Sequence, residues 1–355
     1  MRWSNLTTEA DDAARLPGHR DPATIRRFDA PEALDMRFYE VYARSAINRV
    51  PNASKMPFRW TINPYRGCSH ACVYCFARPT HTYLDFDAGR DFEREIVVKV
   101  NAPEVVRAEL RRPSWKGEHV AMGTNTDPYQ WVESRYKLMP GIWEAFRDAR
   151  NPCSILTKSP LVLRDLEILK EIAAVTDIHA NLSIPTLEAK AWRATEPHTP
   201  HPRARLEAVA ELNRAGIPTG VLVAPLMPGV NDAPEQVEQL LDAATAAGAT
   251  GIGGIALHLR GDVRTLFFDW LRANRPDLVT RYERLYARGA YAPADERRRL
   301  ASMLRRDGGP PPTRFDAVKP PASARQTTSP ERTSMSQTAS SRSRAPTCGR
   351  QTTLF

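Results

Sequence analysis

Three cysteines at short, fixed spacing are the residues of this chain most able to carry chemistry. Cys68, Cys72 and Cys75 form a C-x3-C-x2-C pattern within the run from Asn63 to Arg78. Three thiolates from one loop can hold three corners of a cubic [4Fe-4S] cluster, and no fourth cysteine lies nearby in sequence to close the last corner. The pattern therefore predicts an iron with one open coordination position, where a further ligand can bind.

Zinc binding and disulfide formation are the other common roles of grouped cysteines. A structural zinc site needs four closed ligands, usually as two separated pairs, and here only His70 accompanies the three cysteines. A zinc-stabilised nucleic-acid-binding module is nevertheless the alternative of a different class. Five cysteines are an odd number in a chain without a secretory leader, which disfavours a disulfide framework. Cys153 falls in a strand-like run and is predicted to be a buried structural thiol.

Composition predicts a cytoplasmic protein with one sizeable core. The chain has 355 residues, no run of eighteen apolar residues, and no apolar export segment at its start. Its net charge of +9 suggests an acidic partner, but the charge is unevenly placed. Residues 310–355 carry seven basic side chains against two acidic ones, a net charge of +5. Charge alone therefore gives only weak support for nucleic-acid binding.

The elements that must position the cysteine loop follow a β/α pattern. Between residues 58 and 290, short β-rich runs alternate with longer amphipathic runs, which indicates a parallel β/α layout. Strands are predicted at 59–63, 119–123, 153–158, 178–184, 218–224 and 251–257. Helices are predicted at 103–112, 134–150, 160–175, 202–215 and 233–247, with further helical runs at 263–274, 276–288 and 293–306.

Six such units predict an α/β fold with an incomplete, TIM-like barrel over 58–307. The cysteine loop directly follows the first strand, and active sites of β/α barrels gather at the carboxyl ends of the strands. Residues 1–57 are predicted to be an irregular N-terminal extension with one helix over Pro31–Ala43. Residues 308–355 are rich in Ser, Thr, Pro and Arg and are predicted to be a disordered basic tail.

The cysteine pattern, with Tyr74 just before its last cysteine, resembles the signature of the radical S-adenosylmethionine (SAM) superfamily. Longer runs resemble the spore photoproduct lyase family, and more closely its actinobacterial radical SAM branch of unassigned substrate: Thr61–Arg78, Gly123–Tyr129, Leu156–Ser159, Leu182–Pro185 and Ala224–Asp232. The resemblance implies a partial (β/α)6 barrel and a cluster whose open iron chelates SAM. It also implies that an electron donor such as flavodoxin or ferredoxin reduces the cluster, which cleaves SAM to a 5'-deoxyadenosyl radical.

The same resemblance implies roles for residues at the strand ends. Thr126 and Asp127 are placed near the methionyl amino group of SAM, and Lys158 near its carboxylate. Ser183 is placed near the ribose and Tyr74 near the adenine. A Thr-Asn-Thr-Asp run is also a common turn or helix N-cap, so a purely structural role for the first pair stays open.

Further candidates concern the substrate. Arg193 and Arg260 follow the fourth and sixth predicted strands and are candidates to bind an anionic substrate or the SAM carboxylate, with solvated loop charge as the alternative. His198 is interpreted as a solvated loop residue. Well-known spore photoproduct lyases use a cysteine just before the Thr-Ser-Asp at the end of the second strand as hydrogen donor, but the run Met122–Asp127 here has no thiol. Lesion reversal by that route is therefore not assigned.

The last five residues of the sequence, Gln351 to Phe355, resemble the short peptide by which bacterial replication and repair enzymes dock on the DNA sliding clamp. Leu354 and Phe355 are suited to an apolar pocket and Gln351 to a hydrogen bond at its rim, with the tail as a tether. An accidental match is the alternative, since short motifs often match by chance.

Together these patterns predict a lyase-like radical SAM enzyme of unassigned substrate, acting in DNA repair or nucleic-acid modification on DNA or a nucleobase. The alternative within the same chemistry is modification of a protein, a tRNA or a small metabolite. A barrel of this kind accommodates all of these substrates, because the fold does not determine the substrate.

Overall fold

The structure is a computed structural model that describes residues 7–305 except for residues 12, 20, 53 and 55. The predicted tail over 308–355 and the clamp-binding candidates Gln351, Leu354 and Phe355 lie outside the described residues. None of the helices in the described part is both long enough and apolar enough to cross a membrane.

Strands of the described residues form two sheets. They are β1 (Thr7–Asp11), β2 (Thr24–Phe28), β3 (Arg37–Val41), β4 (Ile47–Arg49), β5 (Trp60–Ile62), β6 (Tyr65–Arg66), β7 (Glu95–Lys99), β8 (Val120–Met122), β9 (Cys153–Thr157), β10 (Ile178–Ser183), β11 (Thr219–Leu226) and β12 (Ile252–Ala256).

Helices connect the strands and cover the outer face of the larger sheet. The α-helices are α1 (Arg90–Arg94), α2 (Ala102–Leu110), α3 (Glu133–Tyr136), α4 (Leu138–Ala149), α5 (Leu166–Ala173), α6 (Ala189–Thr195), α7 (Pro202–Arg214), α8 (Pro234–Ala246), α9 (Asp262–Asn274), α10 (Val279–Leu285) and α11 (Ala294–Ser302). Short 3₁₀ helices occur at Arg78–Leu84, Pro160–Asp165 and Pro276–Leu278.

The larger sheet is the predicted partial barrel. Its strand order is β12-β11-β10-β9-β8-β5-β4, and the six strands from β12 to β5 pair in parallel. Each of the six strands predicted from the sequence is present, with ends within two residues of those predicted. Strand β4 adds an antiparallel edge beside β5. The α/β class and the partial (β/α)6 barrel of the radical SAM type are confirmed.

Alternation along the barrel strands separates an apolar outer face from an inner face with polar groups. On β10, Ala180 and Leu182 belong to the main hydrophobic core. Because successive side chains of a strand point to opposite faces, Asn181 and Ser183 point to the other side, into the barrel. Cys153 begins β9 on the core face and is fully buried, which confirms its predicted structural role.

The prediction of an irregular N-terminal extension is wrong for the described residues. Strands β1, β2 and β3 join β7 and β6 in a second sheet of order β1-β2-β3-β7-β6. The helix predicted over Pro31–Ala43 is also wrong, because Arg37–Val41 is strand β3 and pairs with both β2 and β7. Phe38 packs in the main core and Tyr39 in a smaller core, so β3 is buried on both faces. Such burial outweighs local helix propensity.

Candidate active site

The cysteine loop is fixed to the second sheet at its start. Strand β6 leads directly into Gly67 and Cys68, and the Cys68 N–H donates to the Phe92 carbonyl oxygen at 2.9 Å. Gly67 has a φ of +80°, and a Cβ there would lie 3.0 Å from the same carbonyl oxygen, so this turn requires glycine. Cys68 and Cys72 are buried and Cys75 is half-buried. The three thiols therefore lie on one anchored and largely enclosed loop.

Arg78 holds the loop from the inside. Its buried guanidinium donates to the carbonyl oxygens of Ala71 at 3.2 Å and Cys72 at 3.1 Å, and it forms an ion pair with Glu93. The fork of donors in a guanidinium fixes several acceptors at once. Ala71 has a φ of +55°, a conformation that non-glycine residues keep only when their surroundings enforce it. The protein itself therefore enforces the loop conformation.

Burial raises the pKa of two of the three thiols, Cys72 and Cys75. It raises the pKa of Cys75 to about 11, with the neighbouring Cys68 adding to the increase. Burial is also the main cause that raises the pKa of Cys72 well above the ordinary thiol value. Because iron binds the thiolate, loading a cluster on this loop releases protons.

The donor set suits an iron–sulfur cluster better than a single ion. Within the described ranges, no three His, Cys, Asp or Glu side chains are gathered closely enough to hold one metal ion, as a zinc site requires. A cubic cluster instead takes each thiolate at a separate iron corner. The remaining cysteine among the described residues, Cys153, lies at the opposite end of β9 from the barrel mouth. Three anchored thiols and an open fourth corner therefore fit the cluster predicted from the sequence.

Lys158, Ser183 and Tyr74, which the sequence analysis assigned to one ligand, lie together in the structure. The Lys158 Nζ atom is 2.7 Å from the Ser183 Oγ atom and 3.2 Å from the Tyr74 hydroxyl oxygen. Lys158 also pairs with the carboxylate of Glu196 at 2.7 Å, to which the Tyr74 hydroxyl donates a short hydrogen bond. These residues, with Arg205, are called the Lys158 network. It joins the cysteine loop to the ends of β9 and β10.

Glu196 is the site residue that the sequence analysis missed. Its carboxylate is fully buried and pairs at 2.7 Å with the guanidinium of Arg205, which is also fully buried. Burial alone raises the pKa of Glu196, but the charges of Arg205 and Lys158 outweigh that effect and lower it to about 2. Glu196 lies at the end of α6, in a run of polar residues. The place of Glu196 in the network is apparent only from its ion pairs with Lys158, which follows β9, and with Arg205 on α7. No local sequence pattern distinguishes it from a solvated glutamate.

Thr126 and Asp127 join the cysteine loop to the barrel. Thr126 donates to the carbonyl oxygen of Gly67 at 2.6 Å. Asp127 accepts hydrogen bonds of 2.7 Å from the Thr157 hydroxyl and from the backbone N–H of Lys158. Both side chains are buried, so their contacts are with the protein. A contact with the SAM amino group stays a prediction for this pair.

Arg193 and Arg260 are exposed and stack on neighbouring aromatic rings. The Arg193 guanidinium lies 5.7 Å from the centre of the Trp192 ring, and that of Arg260 lies 5.1 Å from the centre of the Tyr291 ring. Both guanidinium groups therefore contact rings that are not part of the Lys158 network. Binding of an anionic substrate by Arg193 and Arg260 stays a prediction.

Gly123 belongs to the run Met122–Asp127, which holds no thiol where spore photoproduct lyases have a cysteine donor. It has a φ of +79°, and a Cβ there would lie 1.8 Å from the carbonyl oxygen of Leu156. No side chain, and therefore no cysteine, fits between β8 and β9 at this point without moving the backbone. Glycine at 123 is thus required by the close packing of the two strands.

Comparisons with known proteins agree with this geometry. Residues 62–244 match the family model of the radical SAM superfamily. The uncharacterized protein Rv2578c of Mycobacterium tuberculosis (strain H37Rv) is 46% identical over 308 residues, which cover 86% of this chain and 91% of the relative. A structure of spore photoproduct lyase complexed with dinucleoside spore photoproduct superposes with a TM-score of 0.57 and 16% identity, covering 75% of this chain and 77% of that chain. At that identity, the likeness shows the fold.

Proposed function

The chain belongs to the radical SAM superfamily, and we propose that it binds a [4Fe-4S] cluster through Cys68, Cys72 and Cys75 and cleaves S-adenosylmethionine reductively. The observation that carries the proposal is the anchored loop with three enclosed thiols beside the Lys158 network. The bound cluster supplies the electron that cleaves SAM, and the protein binds, orients and shields the reacting groups.

The Lys158 network supports SAM binding through its charge. Lys158 and Arg205 are two cations around one carboxylate, Glu196, so the network carries an excess positive charge. Lys158 keeps 15% of its side chain exposed, whereas Arg205 and Glu196 are sealed. We assign the Lys158 ammonium to the SAM carboxylate, which would replace its contacts with the hydroxyls of Ser183 and Tyr74, while the buried pair fixes its position.

The remaining contacts with SAM are assigned to residues near Lys158. Ser183 and Tyr74 border Lys158 and are assigned to the ribose and the adenine of SAM. Thr126 and Asp127 position the loop and the start of the segment after β9, and are assigned to the amino group. These assignments remain part of the proposal and are tested with it.

A nucleic-acid base, in DNA repair or nucleic-acid modification with lyase-like chemistry, is the substrate we propose. The net charge of +9 and the spore photoproduct lyase fold support it. Because the run Met122–Asp127 holds no thiol, lesion reversal that uses a cysteine donor there is not part of the proposal. Modification of a protein, a tRNA or a small metabolite is the alternative.

Anaerobic reconstitution tests this function. The purified chain is loaded with iron and sulfide, reduced with dithionite and supplied with SAM, and 5'-deoxyadenosine is measured with and without ultraviolet-damaged DNA. We expect product from the wild type and from Cys153→Ala, and none from Cys72→Ala. We expect Lys158→Ala to raise the KM for SAM about tenfold or more, because it removes a charge-assisted hydrogen bond.

Two results test the proposed function and distinguish between the two substrate classes. A fully loaded wild type that forms no 5'-deoxyadenosine contradicts the proposed function. Faster formation with damaged DNA supports a nucleic-acid substrate, whereas an unchanged rate with DNA and a faster one with tRNA, peptide or metabolite pools supports the alternative.

A further inference from the structure

An exposed row of aromatic rings begins at the cysteine loop and lies outside the Lys158 network. Phe76 directly follows Cys75 and is 53% exposed, and Tyr291 is 46% exposed. The His258 ring lies between them, with centroid distances of 6.0 Å to Phe76 and 5.7 Å to Tyr291 and interplanar angles near 70°. Together with Arg260, these three residues are called the aromatic patch.

The patch is held by the carboxyl end of the barrel. His258 follows β12 and forms an antiparallel bridge with Tyr291, and the N–H of Leu259 donates to the carbonyl oxygen of Ala290 at 2.8 Å. The Arg260 guanidinium lies over the Tyr291 ring. Burial lowers the pKa of His258, so its ring is neutral at pH 7 and the positive charge of the patch comes from Arg260. Backbone pairing thus fixes the rings in place.

The chemistry of the patch combines stacking faces with a cation. Aromatic side chains stack on unpaired bases regardless of sequence, and arginine adds a charge that binds phosphate. An apolar peptide would use the rings but not the exposed guanidinium. Residues 310–355 account for +5 of the net charge of +9, so the rest of the chain carries +4, which also favours a polyanionic partner. The patch therefore matches single-stranded nucleic acid better than an apolar surface of another protein.

We propose that the aromatic patch is a docking surface for single-stranded nucleic acid, on which Phe76 and Tyr291 stack unpaired bases and Arg260 binds a backbone phosphate. An enzyme that reacts at a base must first take it out of the duplex stack, and the rings next to the cysteine loop receive such a base. The inference rests on the proposed function, because it names the substrate class of the same barrel mouth.

Binding by the anaerobic holoenzyme tests the inference. Fluorescence anisotropy compares a labelled oligothymidine with an abasic oligonucleotide of equal length and charge, so that the basic tail contributes equally to both. We expect the wild type to bind the base-bearing strand about tenfold more tightly. Tyr291→Ala and Phe76→Ala each lose most of this preference, and Tyr291→Phe keeps it. Arg260→Gln weakens both strands and lowers the salt dependence.

Tyr42→Ala is the matched control, because Tyr42 is an exposed tyrosine of the N-terminal region and is 82% exposed. It keeps the preference for bases. A wild type that binds both strands equally, or Tyr291→Ala and Phe76→Ala variants that keep the full preference, overturns the inference and assigns the patch to another ligand class. The binding result is read independently of SAM cleavage, so a failure here leaves the proposed function standing. A failure to form 5'-deoxyadenosine contradicts only the proposed function.

Discussion

Glu196 is the residue that balances the charge of the Lys158 network. Its carboxylate is sealed from solvent and receives Lys158 on one oxygen and Arg205 on the other. Without it, the fully buried guanidinium of Arg205 has no anion within the network. Buried ion pairs of this kind contribute little net stability when complete but are costly to break.

Replacing Glu196 tests this role. We expect Glu196→Ala to lower the free energy of unfolding by about 3–5 kcal/mol, because it leaves a buried cation unpaired. The exposed pair of Glu211 and Arg214 on α7 offers a control, and Glu211→Ala should cost less than about 1 kcal/mol. Urea unfolding at pH 7 measures both. Equal small losses would show that the Lys158 network is not electrostatically coupled.

His119 supplies a second test at the level of one residue. It precedes β8, its Nε2 atom is buried, and burial lowers its pKa to about 4, with His179 adding to the decrease. The unfolded chain therefore takes up the proton first, near pH 6.5. The contribution of His119 to the free energy of unfolding is complete above pH 6.5. It is lost as the pH falls towards 4, by about 2 kcal/mol at pH 5.

We expect His119→Gln to reduce the loss of unfolding free energy between pH 7 and pH 5. Part of the loss persists, because burial also lowers the pKa of His81 to about 4. An unaltered slope in His119→Gln would contradict the assignment of a buried neutral ring.

The sequence could predict site residues whose position follows from a strand end, but not those that act through distant partners. The cysteines were predicted from their spacing, and Lys158 and Ser183 from the family resemblance together with their places at strand ends. Gln130 does not, although it accepts from the Ser69 N–H at 2.9 Å and donates to the Gly67 carbonyl oxygen at 3.1 Å. Such contacts across sixty residues leave no periodic signal in the sequence.

At the scale of elements, the close approach of β8 and β9 depends on Gly123. We expect Gly123→Ala to destabilise the fold by at least about 2 kcal/mol more than Gly117→Ala, because its Cβ would meet the Leu156 carbonyl oxygen. Gly117 also has a positive φ, +67°, but open space around it, so its substitution should cost about 1 kcal/mol. Thermal unfolding distinguishes the two. Similar melting temperatures would mean that the strands separate easily here.

The predicted strands and helices are correct where the local sequence pattern and the tertiary packing favour the same element. All six barrel strands have a β-rich run bounded by turns, and the structure has each of them. The helix predicted over 134–150 is instead divided at Lys137, which has a φ of +50°. Strand β7 was missed, although Ile96 to Val98 have high β-propensity, because its partner β3 lies far away in sequence and was read as helix.

At the scale of the whole molecule, both sheets contribute to holding the cysteine loop. Strand β6 of the second sheet leads into the loop, and the Cys68 N–H donates to the carbonyl oxygen of Phe92 on α1. The barrel side binds it through Thr126, which donates to Gly67. Strands β1 to β3 of the N-terminal region join the second sheet through β7, which no local pattern of residues 1–57 indicates.

We also propose that Gln351, Leu354 and Phe355, outside the described residues, dock the molecule on a DNA sliding clamp. A pull-down with purified clamp compares the full chain with a chain lacking residues 351–355 and with Gln351→Ala. We expect retention of the full chain and loss of the shortened one, because the two apolar side chains fill a pocket. Equal or absent retention would remove this partner.

The central claim is a cluster on three cysteines with one iron open to SAM. Its most direct test is the electron paramagnetic resonance spectrum of the dithionite-reduced holoenzyme, recorded with and without SAM, on chains carrying about four irons and four sulfides. We expect a reduced-cluster signal that shifts when SAM binds. A fully loaded cluster whose signal is unchanged by saturating SAM, or an anaerobic preparation with no inorganic sulfide, would contradict it.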